Sequence, residues 1–282
     1  MAEQVKRQRG RPRNPFRDAN ANTLQSLDRA LSLLKALSLS RSSTLTDLAM
    51  IAGLPAPTAH RILATLQVHG FVDLDEARQE YSVGLEAFRV GSVFLKSKGI
   101  TEIGLLTMRK LVEATDETAN LAIADGHQVV FIGQIETGNP IRAFFPPGTR
   151  TPMHASGTGK AILAALPRET VVQLLQKTGL AGFTDHTHVT PDALFADLDA
   201  TQERGWSFDC EERFIGMSCV GSAIYDETGQ PVAGVSISGP SNRFDPSRIA
   251  DFGATVKDAA EEITRLSGGE LPRYCCQGSG QD

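Results

Sequence analysis

The sequence predicts an α+β protein with an N-terminal winged helix-turn-helix domain and a larger C-terminal domain. Two short helical patterns meet across a sharp break within residues 45–72, and hairpin patterns follow after residue 118. Charge also divides along the chain. Residues 1–100 carry 14 Lys and Arg against 9 Asp and Glu, whereas the remaining residues carry 14 against 24. A basic third and an acidic body are typical of one DNA-facing domain joined to one that faces away from DNA.

Size and composition restrict the class of protein further. A chain of 282 residues with 41% hydrophobic content can bury two separate cores. It contains no run of about 18 apolar residues, so we expect no contact with a membrane. The basic N-terminus has no apolar segment behind it, so we expect no secretion signal and a cytoplasmic protein. Four cysteines without a CxxC spacing indicate neither a zinc site nor a disulfide framework.

Residues 1–23 form a polar, basic arm that we expect to be disordered in the free protein. The arm contains the segment KRQRGRPR. Its central RGRP is typical of AT-hooks, whose arginines lie in the narrow minor groove of A·T-rich DNA. The candidate minor-groove residues are Arg7, Arg9, Arg11 and Arg13.

A first helix is predicted from Ser26, which can cap it, with Asp28 near the positive end of the helix dipole. Its predicted buried stripe is Leu27, Ala30, Leu31 and Leu34. It would be the first of three helices in the DNA-binding domain.

The next two helices form the predicted helix-turn-helix. Helical spacing predicts two buried stripes: Leu45, Leu48, Ala49 and Ala52, then Ala59, Ile62, Leu63 and Leu66. Gly53 ends the first helix, and Pro57 is tolerated only in the first turn of the second. The exposed Thr58, His60 and Arg61 would then reach base edges in the major groove. The alternative is an ordinary pair of packed helices.

A short hairpin, with strands at 71–72 and 81–83, would be the wing that lies on DNA phosphates. The winged helix-turn-helix therefore spans residues 24–84. Residues 85–99 are predicted to be a linker helix, in which Leu85, Phe88 and Phe94 are available for a dimer contact.

The second domain, residues 100–268, begins with a helix at 103–114, and residues 269–282 are a tail. Hairpins are predicted at 119–135 and 219–238, with helices at 170–177, 192–204 and 248–266. We expect the helices to pack on one side of the antiparallel strands.

The segment PMHASGTGKAILA, residues 152–164, contains the clearest candidate binding site. Its Gly-rich start precedes a helix whose free N–H groups and dipole favour a carboxylate or phosphate. The alternative is a Gly-rich turn without a ligand. A P-loop is excluded because Gly159-Lys160 is followed by Ala161, and His154 stands where the first glycine belongs.

No complete catalytic site is found, so we expect no catalytic residue, metal or cofactor. Residues 216–220 miss the GxSxG pattern at its last position. Asp185, His186 and His188 could bind a metal. The alternative is that they are ordinary surface residues, as two close histidines in a polar loop usually are. Two alternatives remain: an enzyme with an accessory winged helix, and an architectural DNA-binding protein that senses nothing.

Several separate segments, in order, resemble the IclR family of transcription regulators over nearly the full chain. They are RGRP, GLPAPTAHRILATLQVHGFV, VGSVFLKS, PMHASGTGKAILA, RGWSFDCEE and VSISGP. The resemblance implies a winged helix, a linker helix and a GAF-like effector-binding domain. It implies a repressor that binds inverted repeats in double-stranded DNA as a homodimer or homotetramer.

The resemblance also implies a pocket for a small acid. Its residues would be Gly157, Thr158, Asp209, Cys219, Ser236 and Ser238. Backbone N–H groups and serine hydroxyls can hold a carboxylate, while Asp209 could accept a hydrogen bond from a ligand hydroxyl. A two- or three-carbon keto acid of the glyoxylate or pyruvate type is the first choice, and an aromatic acid is the alternative.

Overall fold

The computed structural model describes residues 24–272, apart from the side chains of residues 94–98. The chain divides into two compact units at the junction of Phe94 and Leu95. Within the described range, none of the helices is long and apolar enough to cross a membrane.

The first unit is a helical bundle with a small antiparallel sheet. Its elements in chain order are α1 Gln25–Leu37, β1 Ser43–Thr44, α2 Leu45–Ile51, α3 Ala56–Val68, β2 Val72–Asp75, β3 Glu80–Val83 and α4 Leu85–Lys98, the last of which continues across the junction. The strand order is β1-β3-β2. The predicted wing is therefore present. Strand β1 was not predicted, because two residues are too few to show an alternating pattern.

The predicted helix-turn-helix is confirmed in its details. Thr44 caps α2 by accepting a hydrogen bond from the Asp47 amide. Gly53 follows α2 in the left-handed conformation, with φ of +63°. Pro57 lies in the first turn of α3, where its missing N–H costs no helical hydrogen bond. Leu48 and Leu63 are fully buried in the core that these helices share.

The predicted cap and stripe of α1 are wrong in part. The residue before the helix is Leu24, which makes no capping hydrogen bond, and Ser26 lies inside the first turn. Leu27 and Leu31 are exposed, whereas Leu33 and Leu37 form the buried face. Leucines occur on two faces of this helix, so the periodicity alone could not show which face meets the core.

The second unit is built on a six-stranded antiparallel sheet. Its elements in chain order are α5 Ile100–Thr115, β4 Thr118–Asp125, β5 Gln128–Ile135, β6 Arg150–Pro152, α6 Gly157–Ala165, α7 Arg168–Thr178, α8 Pro191–Arg204, β7 Ser207–Cys210, β8 Met217–Tyr225, β9 Pro231–Pro240 and α9 Pro246–Leu266. The strand order is β6-β5-β4-β9-β8-β7. Both predicted hairpins are present, and the short edge strands β6 and β7 were missed.

Helices cover both faces of this sheet, so the expectation of helices on one side is wrong. Val235 and Ile237 of β9 belong to the core shared with α5 and α9. The alternate residues Ser236 and Ser238 point to the opposite face, where α6 packs against β8 and β9. Strand β9 is buried along almost its whole length, which is the expected pattern for a strand covered twice. The polar face of β9 is therefore an internal surface.

Candidate DNA-binding and effector-binding sites

Helix α3 exposes two of the three predicted recognition residues. His60 and Arg61 are exposed, and Thr58 is half-buried. The first turn of α3 contains no acidic residue, and Arg61 forms no ion pair with any side chain in residues 24–272. Its guanidinium is thus available to a guanine edge or a phosphate. The arm residues Arg7, Arg9, Arg11 and Arg13 lie outside the described residues.

The wing carries a basic residue that sequence reasoning did not single out. Asp75 Oδ1 accepts hydrogen bonds from the Ala77 and Arg78 amides and so closes the turn between β2 and β3. The side chain of Arg78 is 75% exposed and lies 3.9 Å from the Asp75 carboxylate, a distance that gives a weak surface pair. Arg78 is therefore positioned for a phosphate contact.

In the second unit, α6 begins where Ser156 caps it, accepting a hydrogen bond from the Gly159 amide. The predicted helix start at Gly157 is confirmed. The glycines here allow close packing of α6 on the sheet. A Cβ at Gly157 would lie 2.7 Å from Cys219 Sγ, and one at Gly221 would lie 2.6 Å from the Thr158 amide nitrogen. Contacts this short require glycine on both sides.

We expect Gly221→Ala to destabilise the second unit by about 1–3 kcal/mol, because its methyl group would collide with the α6 backbone, which cannot rotate away. The change should be measured by chemical denaturation. Gly138→Ala is the matched control, since a Cβ there meets nothing within 4 Å. Equal stability of the two variants would show that α6 can move off the sheet.

Strand register brings three of the predicted pocket residues into one row. Asp209 of β7 pairs with Cys219 of β8, and Cys219 pairs with Ser238 of β9. Side chains directly opposite one another on adjacent strands lie about 5 Å apart. The buried Asn120 of β4 extends the polar surface by donating to Ser238 Oγ at 3.3 Å. Residues far apart in sequence therefore form one polar surface next to the start of α6.

The environment raises the pKa values of both acids in this row. Burial raises the pKa of Asp209 to about 7, and the negative charge of Glu212 adds to the shift. Burial likewise raises the pKa of Cys219 to about 11. The Cys219 thiol is therefore protonated at neutral pH and is a poor nucleophile. Asp209 can both donate and accept hydrogen bonds near pH 7, whereas the sequence suggested only an acceptor.

The remaining predicted residues lie beside this row. Gly157 and Thr158 form the first turn of α6, and Ser236 lies two residues before Ser238 on the same face of β9. The hydroxyls of Thr158 and Ser236 are fully buried and make no hydrogen bond of normal geometry within the described part of the chain. Ser236 does lie close enough to Cys219 to lower the pKa of its thiol. Buried polar groups without partners are costly, but neither Thr158 nor Ser236 is among the residues that line the cavity against this row.

A cavity of about 20 Å³ lies against the polar row. Its lining includes Asp209, Cys219 and Ser238, together with Ser156 and Arg213. Three aromatic rings form an apolar wall: Phe131 stacks on Phe145 with ring centroids 5.0 Å apart, and Phe214 lies 6.3 Å from Phe145. This volume is about that of one water molecule. We therefore expect an organic acid, which is larger than water, to displace part of the lining.

Behind the polar row lies a buried ionic cluster. Lys160 of α6 is fully buried, and its ammonium contacts Glu212 at 2.5 Å, Asp197 at 2.8 Å and the Phe208 carbonyl at 2.6 Å. Burial alone would lower the pKa of Lys160, but Glu212 and Asp197 more than offset it, so the pKa is raised. The Glu212 amide in turn donates to Asp209 at 2.8 Å. The cluster thus fixes the loop after β7, whose Glu212 amide holds the Asp209 carboxyl.

Sequence reasoning missed Asn120, Ser156, Lys160 and Arg213. A polar Asn inside the apolar run TANLAIA was the one available signal for Asn120. Nothing in the local sequence distinguished Lys160 or Arg213 from surface residues. In the part of the chain that the structure describes, no group of three His, Cys, Asp or Glu side chains could hold a metal ion.

Comparisons with known proteins agree with this architecture. Residues 26–76 match the family described as "IclR helix-turn-helix domain", and residues 93–265 match "Bacterial transcriptional regulator IclR C-terminal". The "Acetate operon repressor" of Salmonella typhimurium is 43% identical over 272 residues, covering 95% of this chain and 99% of that protein. The "HTH-type transcriptional regulator BhcR" of Paracoccus denitrificans is 42% identical over 276 residues, covering 97% and 98%. The crystal structure of the Thermotoga maritima IclR superposes with a TM-score of 0.72 at 29% identity, covering 86% and 98%.

Proposed function

Because the chain belongs to the IclR family of DNA-binding transcriptional regulators, we propose that it is a repressor whose DNA affinity is controlled by a small carboxylic acid. The observation that carries this proposal is the cavity lined by Asp209, Ser238 and Arg213 at the start of α6. It combines hydrogen-bond donors, a cation and a helix N-terminus, and all three favour a carboxylate.

In this proposal α3 reads the operator. Arg61, Thr58 and His60 contact base edges in the major groove. The minor groove is contacted by Arg7, Arg9, Arg11 and Arg13. Arg78 of the wing contacts a phosphate. Support comes from the exposure of Arg61 and from the absence of acidic residues in the first turn of α3. Phosphate contacts orient such a domain, and base contacts give it specificity.

We propose that the protein binds an inverted repeat as a homodimer or homotetramer. One winged helix reads few base pairs, and two-fold symmetry doubles the site. Apolar side chains that a second copy could cover lie on the first unit. Leu85 and Phe88 of α4 are 76% and 68% exposed. Leu27 and Leu31 of α1 are also exposed.

The small size of the cavity suggests how acid binding is coupled to DNA release. Glyoxylate and pyruvate are larger than one water molecule, so binding requires movement of the lining. The side chain that would move is Phe214, which is 45% exposed and is the most exposed of the described residues that line the cavity. A ligand changes DNA affinity only through different affinities for two arrangements, and coupling of about 1–3 kcal/mol is the usual scale.

An aromatic acid is the second candidate effector. The wall of Phe131, Phe145 and Phe214 could stack on a benzene ring. Opening the cavity by moving Phe214 would make room for such a ring. A two- or three-carbon keto acid remains the first choice, since the cavity is small and its residues other than the phenylalanines are mostly polar, with Ala155 and Met217 as the exceptions.

The test is fluorescence anisotropy of labelled DNA from the region upstream of this protein's own gene. Binding is measured at one stated salt concentration, alone and with glyoxylate, pyruvate or benzoate. We expect tight binding that one of these acids alters. Tight binding that no acid changes would contradict the proposed effector class. Binding no tighter than to random DNA would reject this region as the operator and require selection from a random DNA library.

We expect acid affinity to depend on the protonation of Asp209. A carboxylate ligand beside Asp209 is repelled by its ionised form, so binding requires the neutral form. Because the pKa of Asp209 is about 7, affinity should be constant well below pH 7 and fall about tenfold per pH unit above it. Calorimetric titration from pH 5.5 to 8.5 measures this. Asp209→Asn should bind with no such dependence, and an equally flat wild-type profile would contradict the prediction.

A further inference from the structure

We propose that Arg213 forms the ion pair with the carboxylate of the bound effector and thereby makes the cavity select acids over neutral molecules. The inference rests on the proposed function, because it requires an acid in this cavity. It adds the charge partner that the polar row itself does not contain.

The guanidinium of Arg213 has no polar partner within the described residues. Its Nε is fully buried and makes no hydrogen bond. Nor does a carboxylate lie within ion-pair distance of it in residues 24–272. A buried donor of a charged group without an acceptor is costly. By contrast, the half-buried Arg243 does have an acceptor, the carboxylate of Glu117.

Aromatic rings hold the guanidinium at the cavity. Its Cζ lies 3.8 Å from the ring centroid of Phe183 and 5.3 Å from that of Phe214. Phe183 in turn stacks on His154 with centroids 5.9 Å apart. Stacking on a ring leaves the in-plane N–H groups of an arginine free to bind a planar carboxylate at two points.

The other nearby cations cannot take this role. Lys160 has three N–H donors, and they face Glu212, Asp197 and the Phe208 carbonyl. Burial lowers the pKa of His154 despite its hydrogen bond to the Ala181 carbonyl, and His154 is not among the residues that line the cavity. Among the described residues that line the cavity, Arg213 is the one cationic side chain.

The charge of the cavity requires such a partner. Glu212 is already matched by Lys160, and Asp209 becomes neutral when an anion lies beside it. The polar row then supplies hydroxyls, a thiol and amides but no positive charge. A carboxylate taken from water into this site needs a charged partner to offset its lost hydration. Arg213 is positioned to provide it.

The experiment measures binding of glyoxylate, pyruvate and benzoate to the full-length wild type, Arg213→Gln and Arg213→Lys by calorimetry. Pyruvamide serves as the neutral counterpart of pyruvate. We expect Arg213→Gln to weaken acid binding about 10- to 100-fold, as for loss of a charge-assisted hydrogen bond. Affinity for pyruvamide should change less than threefold. Arg213→Lys keeps the charge and loses the two-point geometry, so its affinity should be intermediate.

Arg168→Gln is the matched control. Arg168 also stacks on a phenylalanine, with its Cζ 4.0 Å from the ring of Phe195, but it does not line this cavity. Its loss should leave acid binding unchanged. If Arg213→Gln does not fold, the acid affinity of Arg213→Lys is compared with that of wild type, and equal affinities would contradict the inference.

The outcomes separate the inference from the proposed function. If wild type binds an acid and Arg213→Gln binds it equally well, Arg213 is not the charge partner and the effector site stands. If Arg213→Gln weakens pyruvate and pyruvamide alike, its role is packing and the inference is wrong. If wild type binds none of the acids, the proposed effector class fails, and the inference fails with it.

Discussion

Lys160→Met should destabilise the second unit by about 3–5 kcal/mol, the usual cost of removing one partner from a buried ion pair. Lys160 is fully buried, and its loss removes the cation that Glu212 and Asp197 share. Within the described residues this leaves them only His188 and Arg204, each at 3.8 Å. Methionine fills a similar volume, so a cavity contributes little to the change. Urea denaturation at pH 7 measures the free energy of unfolding. Lys177→Met, on the exposed side of α7, is the control.

The pH dependence of the unfolding free energy of Lys160→Met identifies the cause of its destabilisation. Burial raises the pKa of Glu212, and without Lys160 nothing as strong opposes it. A carboxyl whose folded pKa is above its unfolded value loses stability as pH rises. The difference in unfolding free energy between Lys160→Met and wild type should therefore become smaller as pH falls from 7 towards 5. Lys160→Met combined with Glu212→Gln should recover part of the loss. A deficit no larger than that of Lys177→Met would show that the cluster contributes little.

Arg61→Ala should weaken operator binding about 10- to 100-fold, while binding to random DNA changes much less. The reason is that an arginine paired with guanine contributes only at the correct base, whereas a phosphate contact contributes at every sequence. Anisotropy titrations of operator and random duplexes at the same salt concentration measure both affinities.

Arg78→Ala of the wing is the contrasting variant. Its phosphate contact carries no sequence information, so we expect equal losses on operator and random DNA and a shallower salt dependence. Equal losses for Arg61→Ala as well would reduce Arg61 to a phosphate contact and move base recognition to Thr58 and His60.

The sequence by itself determined the helix-turn-helix, the wing, both hairpins of the second unit and the start of α6. These features depend on local rules. Pro57 and Gly53 restrict the backbone where they stand, and apolar spacing reports one buried face per element. The register that aligns Asp209, Cys219 and Ser238 entered the prediction through family resemblance, because no local pattern specifies which strands become neighbours.

Only the tertiary structure decided which face of α1 is buried, that helices cover both faces of the large sheet, and where Lys160 and Arg213 lie. A lysine in GTGKAILA reads as a surface residue until Glu212 and Asp197, brought in from elsewhere in the chain, enclose it. The close approach of α6 to β8 is likewise visible only once Gly157 and Gly221 meet. Burial and charge pairing depend on contacts between distant segments, whereas a sequence read along its length shows only local preferences.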